Sequence, residues 1–183
     1  MTDNKALILA RKQGLKAQSS LTEFVKSKTA DESALLICDV SGSMDGTKII
    51  RLREVINRLR QARQLSLLAF GNSVSLVTEL PGAGGGTPMA EALRLAATQK
   101  PRRAILLSDG EPDDASAALA AARELTMAGC KLSCVYIGPE GGEGYRFLKR
   151  LAAEAHGEMA NVDLLGQEAP SQLEAKIVGL LGA

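Results

Sequence analysis

The chain has no tryptophan, two tyrosines and three phenylalanines, so aromatics are 3% of it. Its core must therefore be aliphatic, and base stacking is excluded as a main binding mode. Net charge is +1, so no basic field points to nucleic acid. The three cysteines are odd in number and contain no Cys-x-x-Cys. Cys38 and Cys134 lie in apolar runs and Cys130 just precedes one. Buried reduced thiols and a reducing compartment follow. No long hydrophobic run occurs near the start: Ala6 to Ala10, flanked by Asp3, Lys5, Arg11, Lys12 and Lys16, is too short for a signal segment or a membrane span. A cytoplasmic protein is expected, with neither nucleic acid nor membrane as partner.

Catalytic signatures are equally sparse. The single histidine, His156, stands beside Gly157 at a predicted helix end, where a C-terminal cap is the simpler role than a general base. Gly-x-Ser-x-Gly is absent, so no nucleophile elbow is present. The Gly82–Gly86 stretch lacks the Lys-Ser/Thr of a phosphate-binding loop. A phosphoaspartate mechanism needs a second Asp two residues after Asp39, and position 41 is Ser.

What is present is a globular composition, 45% hydrophobic and 23% charged over 183 residues, enough for one domain with an appendage. The organising stretch is Leu35 to Met44. Four apolar residues, Leu35-Leu36-Ile37-Cys38, run into Asp39-Val40-Ser41-Gly42-Ser43. The run reads as a strand buried on both faces, with its polar residues where it leaves the sheet. That C-terminal end is where open α/β sheets bind ligands.

Residues 1–30 form a separate piece, expected to hold one or two helices. Leu7, Ile8, Leu15, Leu21, Phe24 and Val25 recur at roughly helical spacing, and Ser20 with Glu23 makes a capping-box pattern. It either packs on the domain or serves as a partner-binding arm. Residues 31–183 form the main domain. Strands are predicted over 33–40, 65–70, 74–80, 103–108, 132–137 and 158–162. Helices are predicted over 48–62, 88–97, 116–128, 145–155 and 170–181. Thr87 is expected to cap the second of these helices, with Pro88 in its first turn. Gly71-Asn72-Ser73 reads as a hairpin turn, and alternation from Val74 predicts an antiparallel edge strand with one wetter face. Arg51, Arg53, Arg58, Arg60 and Arg63 share no single face and read as a solvated helix surface. The alternation of strands and helices predicts an α/β fold: a doubly wound, mostly parallel six-stranded sheet with one antiparallel edge strand and helices on both faces.

Three loops then fall on one side of the sheet. They carry Asp39, Ser41 and Ser43; Thr87; and Ser108 with Asp109. Taken singly, Ser41, Ser43 and Thr87 are turn formers, and Asp109-Gly110 is a common turn pair. Taken together they are an all-oxygen donor set, suited to a hard divalent cation with an open coordination position. Glu111, Asp113 and Asp114 read as an exposed acidic loop at the rim.

DVSGSM at Asp39–Met44, GGGTP at Gly84–Pro88 and SDGEP at Ser108–Pro112 resemble the three parts of the metal-ion-dependent adhesion site of von Willebrand factor A (VWA) domains. The resemblance covers about residues 33–183. It implies that Ser41, Ser43 and Thr87 offer hydroxyl ligands and that Asp39 and Asp109 bind the metal directly or through water. Mg²⁺ is the implied cofactor, with Mn²⁺ or Ca²⁺ as alternatives. A protein partner would supply an Asp or Glu to the remaining position. The absence of a disulfide framework resembles the intracellular, bacterial-type members, which often work beside AAA+ ATPases or in multiprotein assemblies. Members of the family also move their last helix between two conformations. An adaptor or assembly factor is thus the expected function, not an enzyme. The alternative is a metal-dependent phosphoesterase or other hydrolase on the same site.

Overall fold

A computed structural model describes residues 34–166 and 168–182; the helices expected within residues 1–30 lie outside the described residues. The sheet is built from β1 (Ala34–Asp39), β2 (Leu65–Phe70), β3 (Val74–Val77), β4 (Arg103–Ser108), β5 (Lys131–Ile137) and β6 (Met159–Val162). Its strand order is β3-β2-β1-β4-β5-β6. All neighbours are parallel except β2 and β3, which pair antiparallel from Phe70 opposite Val74 to Leu67 opposite Val77. Every residue of β1 is buried, as its uninterrupted apolar run demands of a central strand covered on both faces.

Among the described residues, five helices cover the sheet: α1 (Thr47–Ala62), α2 (Met89–Thr98), α3 (Ala115–Met127), α4 (Glu143–Glu154) and α5 (Ala169–Gly182). The alternation of side chains along each strand sorts them between two cores. Leu35, Ile37, Leu68, Phe70 and Leu106 pack with α2, α3 and α4. Leu36, Cys38, Leu67, Ile105 and Leu107 pack with α1 and α5. All three cysteines are free and buried. Among the described residues, no helix is long and apolar enough to cross a membrane.

The helix stops follow from local chemistry. Gly129, at φ +91°, ends α3: its amide reaches Thr126 O at 2.9 Å and the Cys130 amide reaches Leu125 O at 3.3 Å. His156, at φ +53°, does the same for α4, with His156 N to Ala153 O at 3.2 Å and Gly157 N to Ala152 O at 2.9 Å. A Cβ on Gly157 would stand 1.8 Å from Leu132 O, so only glycine fits there. His156 is therefore an exposed helix cap, beside the start of β5.

Two expectations are corrected at the edge. The strand expected over 74–80 stops at Val77 because the carbonyls beyond it turn to α1: Arg60 donates to Thr78 O, and Arg53 to Leu80 O (3.2 Å) and Pro81 O (2.5 Å). The wet-face alternation also fails. Val74 packs on one core and Val77 on the other, while Leu76 is exposed at the sheet edge. The α1 arginines are not simply a solvated surface either. Arg51 donates to Leu164 O and Gly166 O, and Arg58 pairs with Glu54 and Glu174, so several of them fasten neighbouring segments to the helix.

Candidate functional site

The chain leaves β1 toward β2 on one side and returns to add β4 on the other. Between the C-terminal ends of β1 and β4 the strand order reverses, and connections on either side diverge to leave a crevice. Asp39 ends β1 and Ser108 ends β4. Both are 0% exposed. Ser108 Oγ donates to Asp39 Oδ2 at 2.5 Å, and the Ser41 amide donates to Asp39 Oδ1 at 2.8 Å. Burial pushes the Asp39 carboxyl above the usual carboxylate range; the bonds from Ser108 and Ser41 oppose that shift, and the Asp109 charge adds to it.

Ser41 and Ser43 flank the start of a 3₁₀ turn, Gly42–Met44. Their hydroxyls lie 3.0 Å apart, and Ser43 Oγ donates to Asp109 Oδ1 at 2.7 Å. Asp39, Ser41, Ser43 and Asp109 thus form one connected cluster from two loops. Lys48, in the first turn of α1, seats its ammonium on Asp109 Oδ2 and donates to Ser43 O at 3.2 Å.

The third loop reaches this rim through its backbone. Gly84 N donates to Val40 O at 2.8 Å and Gly42 N to Gly85 O at 3.1 Å. Neither the turn after β2 nor this loop has room for side chains where they meet. A Cβ on Gly71 would stand 2.7 Å from both Val40 O and Gly84 O, and one on Gly85, at φ +82°, would stand 2.6 Å from Asn72 N. Gly85 is thus a packing requirement, whereas a Cβ on Gly84 or Gly86 would meet the side chains of Asn72 and Asp113.

Thr87 is half-buried at the rim but does not cap α2. Pro88 occupies the cap position, and no side chain bonds there. The reason is Asp113. Thr87 N donates to Asp113 Oδ1 at 2.9 Å, and Asp113 N donates to Thr87 O at 3.1 Å. Asp114 caps α3, accepting the Ala117 amide at 2.9 Å. Asp113 and Asp114 are exposed, as expected, yet both bond the backbone, which corrects their reading as a bare solvated loop. Sequence reasoning also missed Lys48. Its one signal was a cation in the first turn of a helix, where the macrodipole disfavours positive charge.

The bonded cluster offers two carboxylates and the Ser41 and Ser43 hydroxyls, all oxygen, and its charge has already drawn in an ammonium, whereas Thr87 is tied to the rim through its backbone amide and carbonyl. That chemistry fits a hard divalent cation. Among the described residues no three His, Cys, Asp or Glu side chains cluster for a metal.

This sheet order and rim are those of a von Willebrand factor A-type domain, a class that commonly mediates protein interactions. The chain belongs to the family described as VWA domain containing CoxE-like protein, whose model matches residues 11–165. Its fold is shared with the manganese-loaded TRAP protein of Plasmodium vivax, at TM-score 0.60 and 21% identity, covering 81% of this chain and 72% of that one. It is also similar to proximal thread matrix protein 1 from the mussel byssus, at TM-score 0.60 and 15% identity, covering 79% of this chain and 46% of that one. No curated protein matches the chain in sequence.

Proposed function

We propose that the chain is a divalent-metal-dependent protein-binding module that captures an acidic side chain of a partner protein. Asp39, Ser41, Ser43, Thr87 and Asp109 would hold the cation, with Mg²⁺ first and Mn²⁺ or Ca²⁺ as substitutes. When bound, the cation supplies an electrophilic position that a partner's Asp or Glu can fill. The observation that carries this reading is the direct bonding of Ser41, Ser43 and Asp109 into one oxygen cluster above buried Asp39.

The chain's own residues would do the rest. Ser108 and the Ser41 amide orient Asp39, so its oxygens need no rearrangement to meet a cation. Asp113 holds Thr87 at the rim. The surrounding loops give specificity, and the domain over residues 31–183 carries the activity. An adaptor or assembly role in a cytoplasmic multiprotein system, with an AAA+ ATPase as the first partner to test, is supported by the family resemblance alone. A phosphoesterase on the same site would have to do without the single histidine, since His156 caps α4.

The test is affinity capture from host lysate with wild type and Asp39→Ala, each with Mg²⁺ and with chelator. A partner retained only by wild type with Mg²⁺ is expected. One retained in all four conditions would move the function off this site.

A further inference from the structure

Among the described residues, Lys48 is the one cation bonded into the cluster. Each oxygen of the two carboxylates already accepts a hydrogen bond. Asp39 takes the Ser41 amide and the Ser108 hydroxyl, and Asp109 takes the Ser43 hydroxyl and the Lys48 ammonium. Three of these donors are short groups fixed to the strand ends and the turn. Lys48 differs: its side chain is 30% exposed on a flexible stem, whereas that of Asp109 is 2% exposed.

Its local setting gives it little other reason to be there. α1 starts at Thr47 with Gly46 at the cap, no side-chain cap bond and no acidic residue in the first turn. A positive charge at that end of a helix is unfavourable on its own. Asp109 and the Ser43 carbonyl are what hold it.

We propose that Lys48 is a tethered competitor for the metal site: its ammonium neutralises Asp109 when no divalent cation is bound, and it must swing out to solvent before Asp109 can serve as a ligand. This rests on the metal-binding reading above. A divalent ion on Asp109 would face the ammonium at a few ångströms in a partly buried site, where like charges repel strongly. The lysine keeps the site neutral-leaning and Asp109 in place. It also lowers divalent affinity, so that occupancy follows the concentration of free cation.

The experiment is calorimetric titration of Mg²⁺ and Mn²⁺ into the full chain as wild type, Lys48→Met and Lys48→Gln. In parallel, acylation of Lys48 in wild type is followed by mass spectrometry with and without cation. We expect both variants to bind the cations more tightly, on the order of tenfold, and Lys48 to be acylated faster once the cation is present. Equal or weaker binding by the variants, or unchanged Lys48 acylation on saturation, overturns the proposal while leaving the metal site standing. No binding by any of the three proteins overturns both. If one variant folds poorly, the other variant and the wild-type acylation decide.

Discussion

Asp113 and Thr87 are locked together by a reciprocal pair of bonds: the Thr87 amide donates to the Asp113 carboxylate at 2.9 Å, and the Asp113 amide donates to the Thr87 carbonyl at 3.1 Å. The loop after β4 thereby fixes the loop before α2. A Cβ on Gly86 would stand 2.9 Å from the same carboxylate, so the glycine is what admits it.

Asp113→Ala should therefore loosen Thr87 while sparing the fold. We expect divalent-cation affinity to fall about tenfold, the usual scale for losing a group that orients a ligand. Titration calorimetry beside circular dichroism checks it. Unchanged affinity would show that Thr87 needs no such support.

Asp114→Ala is the contrasting change. It removes the cap of α3 and should cost about 1 kcal/mol of stability. Cation affinity should stay as it was. Urea unfolding measures the first, and the same calorimetric titration the second.

Gly71→Ala places a methyl group against two backbone carbonyls, those of Val40 and Gly84. Neither can retreat without parting the β1 loop from the glycine loop. A loss of roughly 1–3 kcal/mol is expected, as for overpacked sites generally. Cation binding should weaken with it, because the Gly84–Val40 bond carries Thr87's loop to the rim.

The pH response has one clear contributor on α4. Glu154 accepts Arg150 Nε at 2.8 Å and Arg123 Nη2 at 2.6 Å. These bonds, Arg150's foremost, hold its carboxyl below the ordinary value of 4.5. A depressed carboxylate stabilises the fold above its unfolded pKa, and that contribution is lost as pH falls through the folded one. Glu154→Gln should be the less stable protein at neutral pH, and the two should converge in acid. Salt should narrow the gap, since both arginines are exposed to solvent. Thermal melts across a pH series measure it.

Thiol chemistry gives a last check on the core. Burial pushes the Cys134 thiol far up, does the same to Cys38 with the Asp39 charge adding to it, and raises Cys130 to about 11. No thiol should react with maleimide in the native protein at neutral pH. All three should react in denaturant, as read by mass.

The strands, the sheet's parallel run and its reversal were legible because β1, β2, β4 and β5 are short apolar runs closed by polar or glycine-rich loops. The cluster at Asp39, Ser41, Ser43 and Asp109 was legible for a related reason: polar residues at the ends of buried strands have few places to go. What the sequence hid were partners far along the chain. Lys48 meets Asp109 across 61 residues and Thr87 meets Asp113 across 26, and neither pairing leaves a periodic trace. The early end of β3 was hidden likewise, since it depends on carbonyls captured by Arg53 and Arg60.

β1 is the earliest described strand in the chain, yet it lies inside the sheet with β2 on one flank and β4 on the other. During synthesis its β2 flank can pair early, but the other flank stays open until β4 emerges at Arg103. For that interval the nascent chain offers an apolar, two-faced strand edge of the kind that recruits other chains. Fragments ending between β2 and β4 should therefore collect in the insoluble fraction, and the ribosome-bound chain should need shelter until β4 closes that edge.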